Sequence, residues 1–317
     1  MSSLLFILIV LAVAVVLIIL STSILKIHPA ISLLTVTILT GLALGLAPGV
    51  VIDKIAKGFG GLLGSIGLLV VFGSMLGVLI EKSGAVQKIA EFVLYLFGKE
   101  RPVAAMSALG FLVGVPVFCD SGYIILSKLS QLIAKKSQVS SASTSLGLAA
   151  GLYTTHTLVP PTPGPIAAAG NLGVSDQLGA VIFIGLIVAI PVMLVSIFFA
   201  NRLGKNIDIE SSDVQQDDQQ SSIGILQASL PILLPILLIT ISSVLKLAKI
   251  QNAATEVLLF IGNPIVALFL GVLAAQSQLL VYSREQHAKW MAEGVSQAGP
   301  ILVLTGVGRA FGAVLKA

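Results

Sequence analysis

Gly-Val-Pro-Val-Phe-Cys-Asp-Ser-Gly-Tyr-Ile-Ile-Leu-Ser (residues 114–127) and Thr-Thr-His-Thr-Leu-Val-Pro-Pro-Thr-Pro-Gly-Pro (154–165) interrupt an otherwise apolar chain. They carry two titratable side chains, Asp120 and His156. An ionisable side chain at membrane depth costs about 2.5–3.5 kcal/mol on insertion scales, so such residues persist mainly where they act. Pro and Gly break helices, and broken helices inside a membrane are tolerated where they line a cavity. The two motifs therefore predict a polar site for transport.

The composition around these motifs is that of a polytopic α-helical membrane protein. The chain is 56% hydrophobic and 10% charged, with a mean hydropathy of +1.05. Soluble proteins carry about 25% charged residues. Lys and Arg fall at the ends of apolar segments, so the net charge of +4 indicates loop charges beside a lipid bilayer and not nucleic-acid binding. The sequence lacks the alternating pattern of an outer-membrane barrel.

Nine apolar runs approach the length of about 20 residues that a spanning helix needs. They are residues 4–25, 29–51, 60–80, 102–118, 142–158, 178–200, 226–247, 256–276 and 296–316. The first run lacks a basic leading region and is interpreted as an uncleaved transmembrane helix. Segment 83–99 carries its charges on one side at helical spacing and predicts an interfacial amphipathic helix. The predicted fold class is an all-α transmembrane helix bundle.

A hydrophilic segment divides the chain into two membrane portions. Residues 201–222 are rich in Asp, Gln and Ser, a composition typical of a flexible linker. An offset of 235 residues pairs Pro29 with Pro264, Gly64 with Gly299, and Gly73 with Gly308. This register predicts a first repeat over 1–200, a linker over 201–224 and a second repeat over 225–317.

The second predicted repeat is incomplete, because no counterpart of 114–170 follows within the chain. We expect from this that the chain is truncated at its C-terminus. The alternative is a naturally short protein in which the similarity between the two portions is accidental.

Asp120 follows Pro116 and precedes Ser121 and Gly122, where Gly122 permits a sharp turn. Removal from water disfavours the charged form of a carboxyl group, so Asp120 is a candidate to load and release a proton. As a carboxylate it is also a candidate sodium ligand. A third interpretation is structural, with Asp120 capping a helix that starts near Ser121.

His156 and the prolines after it form the second half of the predicted site. Histidine titrates near neutrality and suits a proton relay or an anion contact, although a lone His is often structural. Residues 160–165 cannot continue a helix, which predicts an extended, cavity-lining segment. A helix starting near Pro165 would direct its positive end toward an anionic ligand.

Glycine spacing suggests how the helices pack. Gly60-x-x-x-Gly64 and Gly73-x-x-x-Gly77 are small-xxx-small patterns that allow two helices to approach closely. We interpret them as packing positions and not as a binding site.

Motifs of soluble catalysis are absent from the sequence. It contains no P-loop, no His-Glu-x-x-His and no nucleophile elbow with a triad. Its three histidines lack metal-ligand spacing, so neither a metal nor a cofactor is expected. An intramembrane enzyme using Asp120 and His156 is disfavoured, because hydrolysis would want a second carboxylate or a metal cluster.

Three segments resemble the gluconate permease family of the wider ion transporter superfamily, namely residues 71–84, 115–126 and 155–165. The string His-x-x-x-Pro-Pro-x-Pro-Gly-Pro is the most specific of them. The resemblance implies a multi-pass protein of the bacterial inner (plasma) membrane with inverted repeats and re-entrant hairpins. It also implies proton-coupled symport of gluconate or a related small sugar acid, with Asp120, Ser121, His156 and the prolines mapping onto family motifs.

The predicted mechanism assigns proton coupling to Asp120, with sodium the less favoured ion. The substrate's carboxylate and hydroxyls would meet Ser121, Gly122, Thr155 and His156, together with the backbone at Pro160, Pro161 and Gly164. The alternative is an inactive, truncated protein that lacks half of the binding site. A homo-oligomer is compatible with the sequence.

Overall fold

The structure, a computed structural model, describes residues 3–97, 100–115, 117–207, 224–248, 253–277 and 283–317. The described residues are 87% helical and contain no strand, which confirms the predicted all-α class. These residues form thirteen α-helices: α1 Ser3–Ser23, α2 Pro29–Ala43, α3 Pro48–Lys82, α4 Ala85–Phe97, α5 Pro102–Val113, α6 Cys119–Ser137, α7 Ser141–Leu158, α8 Pro163–Leu172, α9 Leu178–Gly204, α10 Ile225–Leu247, α11 Ala253–Ile261, α12 Pro264–Ser277 and α13 Arg284–Leu315.

Proline sets where many of these helices begin. Helices α2, α3, α5, α8 and α12 all start on a proline, whose fixed φ suits the first helical position and whose missing N–H is not needed there. The C-terminal boundary of the predicted span 29–51 is therefore wrong. Helix α2 stops at Ala43, Gly45 takes a φ of 84°, and Pro48 starts the next helix.

Fewer helices qualify as spans than the nine predicted. Within the described residues, five are long and apolar enough to cross a membrane, and a sixth arises if α11 and α12 count as one span. That pair is bent by 66° at a break that the predicted run 256–276 did not foresee. Helices α2 and α5 are shorter apolar helices. Helix α6 was not predicted as a span, and it begins at Cys119, within the first polar motif.

The chain separates into two compact units. One contains Met1–Leu68 with Gly299–Ala317, and the other contains Leu69–Ala298. In the first unit, α1 packs on α2, and the hydroxyls of Ser21 and Ser32 are in contact. The N-terminal half of α3 meets the C-terminal half of α13, where Gly58 lies directly against the backbone of Ala310.

The second unit is organised around α7, which packs on α5, α6 and α9. Its contact with α5 is a backbone contact. A Cβ atom at Gly147 would lie 2.8 Å from the Val103 carbonyl oxygen, and one at Gly151 would overlap the Ser107 carbonyl oxygen. The Ser107 hydroxyl donates to the Gly147 carbonyl across the same contact at 2.9 Å. Small residues thus bring α5 and α7 together as they do in membrane helix pairs.

The glycine spacings noticed in α3 behave differently from one another. A Cβ atom at Gly60 or Gly64 would meet nothing within 4 Å, so the close packing predicted there is not observed. At Gly73, in contrast, a Cβ atom would lie 2.7 Å from the Pro161 carbonyl oxygen. The close approach at Gly73 is therefore to the proline segment after α7.

Some helix boundaries agree with the predicted repeat, in which equivalent residues are 235 positions apart. Helix α2 starts at Pro29 and α12 at Pro264, and each is preceded by a side chain that accepts a backbone N–H, His28 from Ala30 and Asn263 from Ile265. Residues 208–223, most of the predicted linker, lie outside the described part of the structure. The division into two repeats stays a prediction.

We predict that Gly151→Ala destabilises the protein and that Gly64→Ala does not. The methyl at position 151 must displace the backbone of α5, and overpacking of this kind costs about 1–3 kcal/mol. At position 64 the methyl enters open space, and Ala is the better helix former. Thermal unfolding in detergent would measure both, and equal melting temperatures would contradict the α5–α7 contact.

Candidate functional site

Helices α6 and α7 form an antiparallel hairpin whose open end carries both polar motifs. Midway along it, the Thr144 hydroxyl donates to the Ser130 carbonyl at 3.1 Å, and both residues are fully buried. Nearer the open end, Gly122 lies against the Leu152 side chain. This register places the first turn of α6 beside the last two turns of α7.

Asp120 lies in the first turn of α6 and is exposed. The interpretation of Asp120 as a helix cap is wrong, because the capping position is Phe118 and the helix has no side-chain capping bond. The carboxylate instead faces α7, where the Tyr153 hydroxyl donates to its Oδ1 at 3.2 Å. The Cys119 thiol lies 3.8 Å from the same oxygen. A carboxylate in the first turn is also favoured by the positive end of its own helix.

His156 lies one helical turn after Tyr153 and also faces the start of α6. Its ring centroid is 5.8 Å from that of Phe118, with the rings tilted by 52°. The Nδ1 atom is buried and has no hydrogen-bond partner. Two contacts therefore join the ends of α6 and α7, a hydrogen bond from Tyr153 to Asp120 and a ring contact from His156 to Phe118.

A short loop over 159–162 follows His156, and it is shorter than the extended segment 160–165 that the sequence predicts. Helix α7 ends at Leu158, and α8 starts at Pro163, earlier than the predicted start near Pro165. Pro160 and Pro161 are buried and joined by a cis peptide bond. The Thr162 hydroxyl closes the loop by donating to the carbonyls of His156 at 3.0 Å and Val159 at 2.8 Å.

The N-terminus of α8 offers fewer donors than a typical helix start. Pro163 and Pro165 have no N–H, and the Ile166 N–H donates to the Thr162 carbonyl. Gly164, which is exposed, is the one residue among the first three that keeps a backbone N–H. The predicted anion contact at this helix end is thus limited to the helix dipole and one donor.

Three further predicted site residues, Thr155, Gly122 and Ser121, have no described side-chain contact with Asp120 or His156. Thr155 is fully buried, and its hydroxyl donates to the Phe111 carbonyl of α5 at 3.0 Å. Gly122 is buried between the helices. Ser121 lies in the first turn of α6, and its side chain is outside the described part of the structure, as is Pro116.

The sequence analysis missed Tyr153, Phe118 and Thr162, which make the contacts that assemble the site. A signal for Tyr153 was present, because it precedes His156 by three residues and such residues share a helix face. The partnership with Asp120 could not be foreseen, since it depends on the register of the α6–α7 hairpin. Among the described residues no group of three His, Cys, Asp or Glu side chains is placed to hold a metal ion.

Long apolar helices, a broken helix pair and a polar cluster at a proline loop define a multi-pass membrane protein of the permease class. The chain matches the description GntP family permease over residues 6–317 and belongs to that family. The family consists of permeases and not enzymes, and the predicted location in the bacterial inner membrane is confirmed.

Three relatives illustrate the similarity. An uncharacterized permease of Haemophilus influenzae is 33% identical over 314 residues, covering 92% of this chain and 64% of the relative. A gluconate permease of Pseudomonas aeruginosa is 33% identical, covering 92% and 67%. The D-serine transporter DsdX of Escherichia coli K12 is 29% identical, covering 96% and 70%.

The chain thus spans about two thirds of the length of these relatives. The family match extends to residue 317 and gives no support to the expected truncation of the second repeat.

We predict that Thr162→Val loosens the proline loop. The substitution keeps the shape of the side chain but leaves two carbonyls without their donor, and an unmet buried acceptor costs about 1–3 kcal/mol. Thr157→Val is the control, because Thr157 is exposed and its hydroxyl bonds only within α7. A melting temperature for Thr162→Val as high as that of Thr157→Val would show that the hydroxyl does not hold the loop.

Proposed function

We propose that the protein is a secondary transporter that takes up gluconate or a related small polar carboxylate together with a proton. The single observation that carries this proposal is the junction of α6 and α7. There a carboxylate, a half-buried imidazole and a proline-broken backbone lie within two helical turns of one another.

The proton-coupling role falls to Asp120. Asp120 is an ionisable group at the start of α6 in a chain of mostly apolar helices, and ionisable groups at membrane depth are functional candidates by default. Its carboxylate has a phenol and a thiol as neighbours, and no described Lys or Arg side chain forms a salt bridge with it. A group with such neighbours can change its charge without breaking an ion pair. Sodium is the alternative coupling ion, and the uptake experiment below distinguishes sodium coupling from proton coupling.

Substrate recognition is assigned to His156 and the start of α8. The buried Nδ1 of His156 has no partner in the protein, and Gly164 supplies one backbone N–H at the positive end of a helix. The relatives named for gluconate and D-serine suggest the substrate class. Both compounds carry a carboxylate, a polar group on the adjacent carbon and a hydroxyl on the next one.

Alternating access would arise from movement between two related bundles, the arrangement common in transporters built from repeats. The matched starts and caps of α2 and α12 support such repeats. Lys57 pairs with Asp53 near the start of α3, and Lys289 pairs with Glu285 near the start of α13. The two helix starts lie one residue apart in the register, but the ion pairs do not match residue by residue, because Asp53 and Lys57 correspond to Ala288 and Ala292.

Uptake of labelled gluconate, D-serine and neutral glucose into proteoliposomes would test the proposal. We expect accumulation of one or more carboxylates, driven by an imposed pH gradient and abolished by an uncoupler, with no accumulation of glucose. If accumulation depends on a sodium gradient and not on the pH gradient, the coupling ion is sodium and not the proton. Binding or expression without any accumulation would favour the inactive protein named as the alternative above.

We predict that Asp120→Asn abolishes uphill accumulation while leaving counterflow exchange of substrate. The amide has nearly the same size but cannot bind and release a proton. His156→Ala should instead raise the substrate KM, because it removes a proposed substrate contact. Accumulation by Asp120→Asn at the wild-type level would refute the coupling role.

We further predict that substrate protects Cys119 from alkylation. Cys119 is the only cysteine of the chain, so labelling reports one position, and its thiol lies 3.8 Å from the Asp120 carboxylate. Mass spectrometry after treatment with a small thiol reagent would give the rate. Gluconate or D-serine should slow labelling and glucose should not, whereas equal rates with all three would place the substrate elsewhere.

A further inference from the structure

We propose that Ser74 of α3 is a substrate-binding residue, whose hydroxyl acts with the side-chain oxygen of Gln297 on α13 to bind the hydroxyl-bearing tail of a sugar acid. The inference rests on the proposed function for the class of substrate, but binding measurements test the site without transport. Ser74, Gln297 and the proline loop all belong to the compact unit Leu69–Ala298.

Polar side-chain atoms that are buried without a hydrogen-bond partner are rare, because each has lost its bonds to water and gained none in the protein. Within the part of the chain that the structure describes there are four: Ser74 Oγ, Gln87 Oε1, His156 Nδ1 and Gln297 Oε1. Gln87 lies on α4. The other three lie beside contacts that involve α3, the proline loop and α13.

Ser74 is fully buried, and among the described Ser and Thr residues it is the one whose buried hydroxyl lacks a partner. A serine inside a helix either faces water or donates to a carbonyl about one turn earlier. Ser65 of the same helix donates in this way, with its hydroxyl 2.9 Å from the Leu62 carbonyl. Ser74 does neither, so its hydroxyl keeps its full capacity to bind a ligand.

Ser74 lies between two close contacts of α3. On one side, a Cβ atom at Gly73 would lie 2.7 Å from the Pro161 carbonyl oxygen. On the other, a Cβ atom at Gly294 of α13 would lie 2.5 Å from the Met75 Cα atom. Three consecutive residues of α3 therefore meet the proline loop, present an unpaired hydroxyl and meet α13.

The other two unpartnered atoms border the same contacts. Gln297 is one turn after Gly294 on α13, so Gln297 and Ser74 each lie within one turn of the contact between the two helices. His156 borders the proline loop at the end of α7, where the Thr162 hydroxyl donates to its carbonyl at 3.0 Å. Polar atoms without partners thus lie on both sides of the proline loop.

The chemistry of the two oxygens indicates which part of a sugar acid they bind. An amide oxygen only accepts hydrogen bonds, whereas a serine hydroxyl both donates and accepts. The amide oxygen of Gln297 would repel a carboxylate but accepts a bond from an alcohol hydroxyl. With the carboxylate assigned to His156 and Gly164 above, the remaining hydroxyls of the substrate are left for Ser74 and Gln297.

The closed state of the loop has a cost that a ligand removes. Both oxygens are buried, so a ligand reaches them only after the proline loop moves away from Gly73. The closed arrangement without a ligand leaves the two oxygens without partners and carries their desolvation penalty. Hydroxyl groups of a bound sugar acid would supply the missing partners.

Calorimetric titration of the purified protein in detergent tests the site. Ser74→Ala should lower the affinity for gluconate by about two- to tenfold, the loss expected for one hydrogen bond. Its affinity for glycerate should not change, because glycerate has the same carboxylate and adjacent hydroxyl but a shorter tail. Ser65→Ala is the matched control, since its hydroxyl bonds within α3, and it should leave both affinities unchanged.

Thermal unfolding without ligand supplies a second readout. Because the Ser74 hydroxyl has no partner, Ser74→Ala should melt at the wild-type temperature or above it. A lower melting temperature, with equal loss of affinity for gluconate and glycerate, would assign Ser74 to the fold and overturn the proposal. Gln297→Met removes the amide oxygen at similar size, and it should weaken gluconate binding while sparing glycerate.

The outcomes separate the site from the proposed function. Unchanged gluconate affinity in Ser74→Ala and Gln297→Met would overturn the site and leave the transport function standing. A change in sodium dependence at unchanged gluconate affinity would assign the oxygens to a cation and also overturn it. Binding of gluconate by the wild type without uptake into proteoliposomes would sink the transport function and leave the site in place. A wild type that binds no sugar acid would overturn both.

Discussion

The backbone contact between α5 and α7 is the constraint on which the site depends. Glycines at 147 and 151 let the two helices touch without intervening side chains, and the Ser107 and Thr155 hydroxyls bond across the contact. Helix α7 is thereby held closely against α5. Tyr153, His156 and the proline loop all project from its last two turns, so their positions are inherited from this contact. A binding site needs its residues held in place by such a support.

The loop after α7 is held from both sides. Within it, the Thr162 hydroxyl bonds the two carbonyls that the broken helix leaves open, which is how irregular backbone becomes tolerable inside a membrane protein. From outside, Gly73 of α3 lies against the Pro161 carbonyl. The glycines of α3 therefore have different surroundings. Gly73 makes room for the loop, while Gly60 and Gly64 face open space and contact no other helix in the described structure.

The fold class, the family resemblance and the two polar motifs could be predicted from the sequence. Hydropathy, prolines and ionisable residues can each be identified within a short stretch of the chain. Sequence reasoning singled out Asp120 and His156, which the structure brings to one end of a hairpin, and their roles stay a prediction. It misjudged Asp120 as a possible cap, did not foresee the bond from Thr155 to Phe111, and overlooked Tyr153. These errors share a cause, since which face of a helix meets which neighbour depends on helix register. Helix length was misjudged for a similar reason, because apolar runs continue through breaks such as those at Gly45 and after Ile261.

The sparse donors at the start of α8 bear on how fast a carrier of this kind can work. Alternating prolines leave Gly164 as the one residue with a backbone N–H among the first three of α8, so an anion placed here would be attracted mainly by the helix dipole. Enzymes that clamp phosphate surround it with several backbone donors and release it slowly. A carrier must release its substrate on every cycle, and if the proposed carboxylate binds at this position, a shallow energy well would keep its dwell time short.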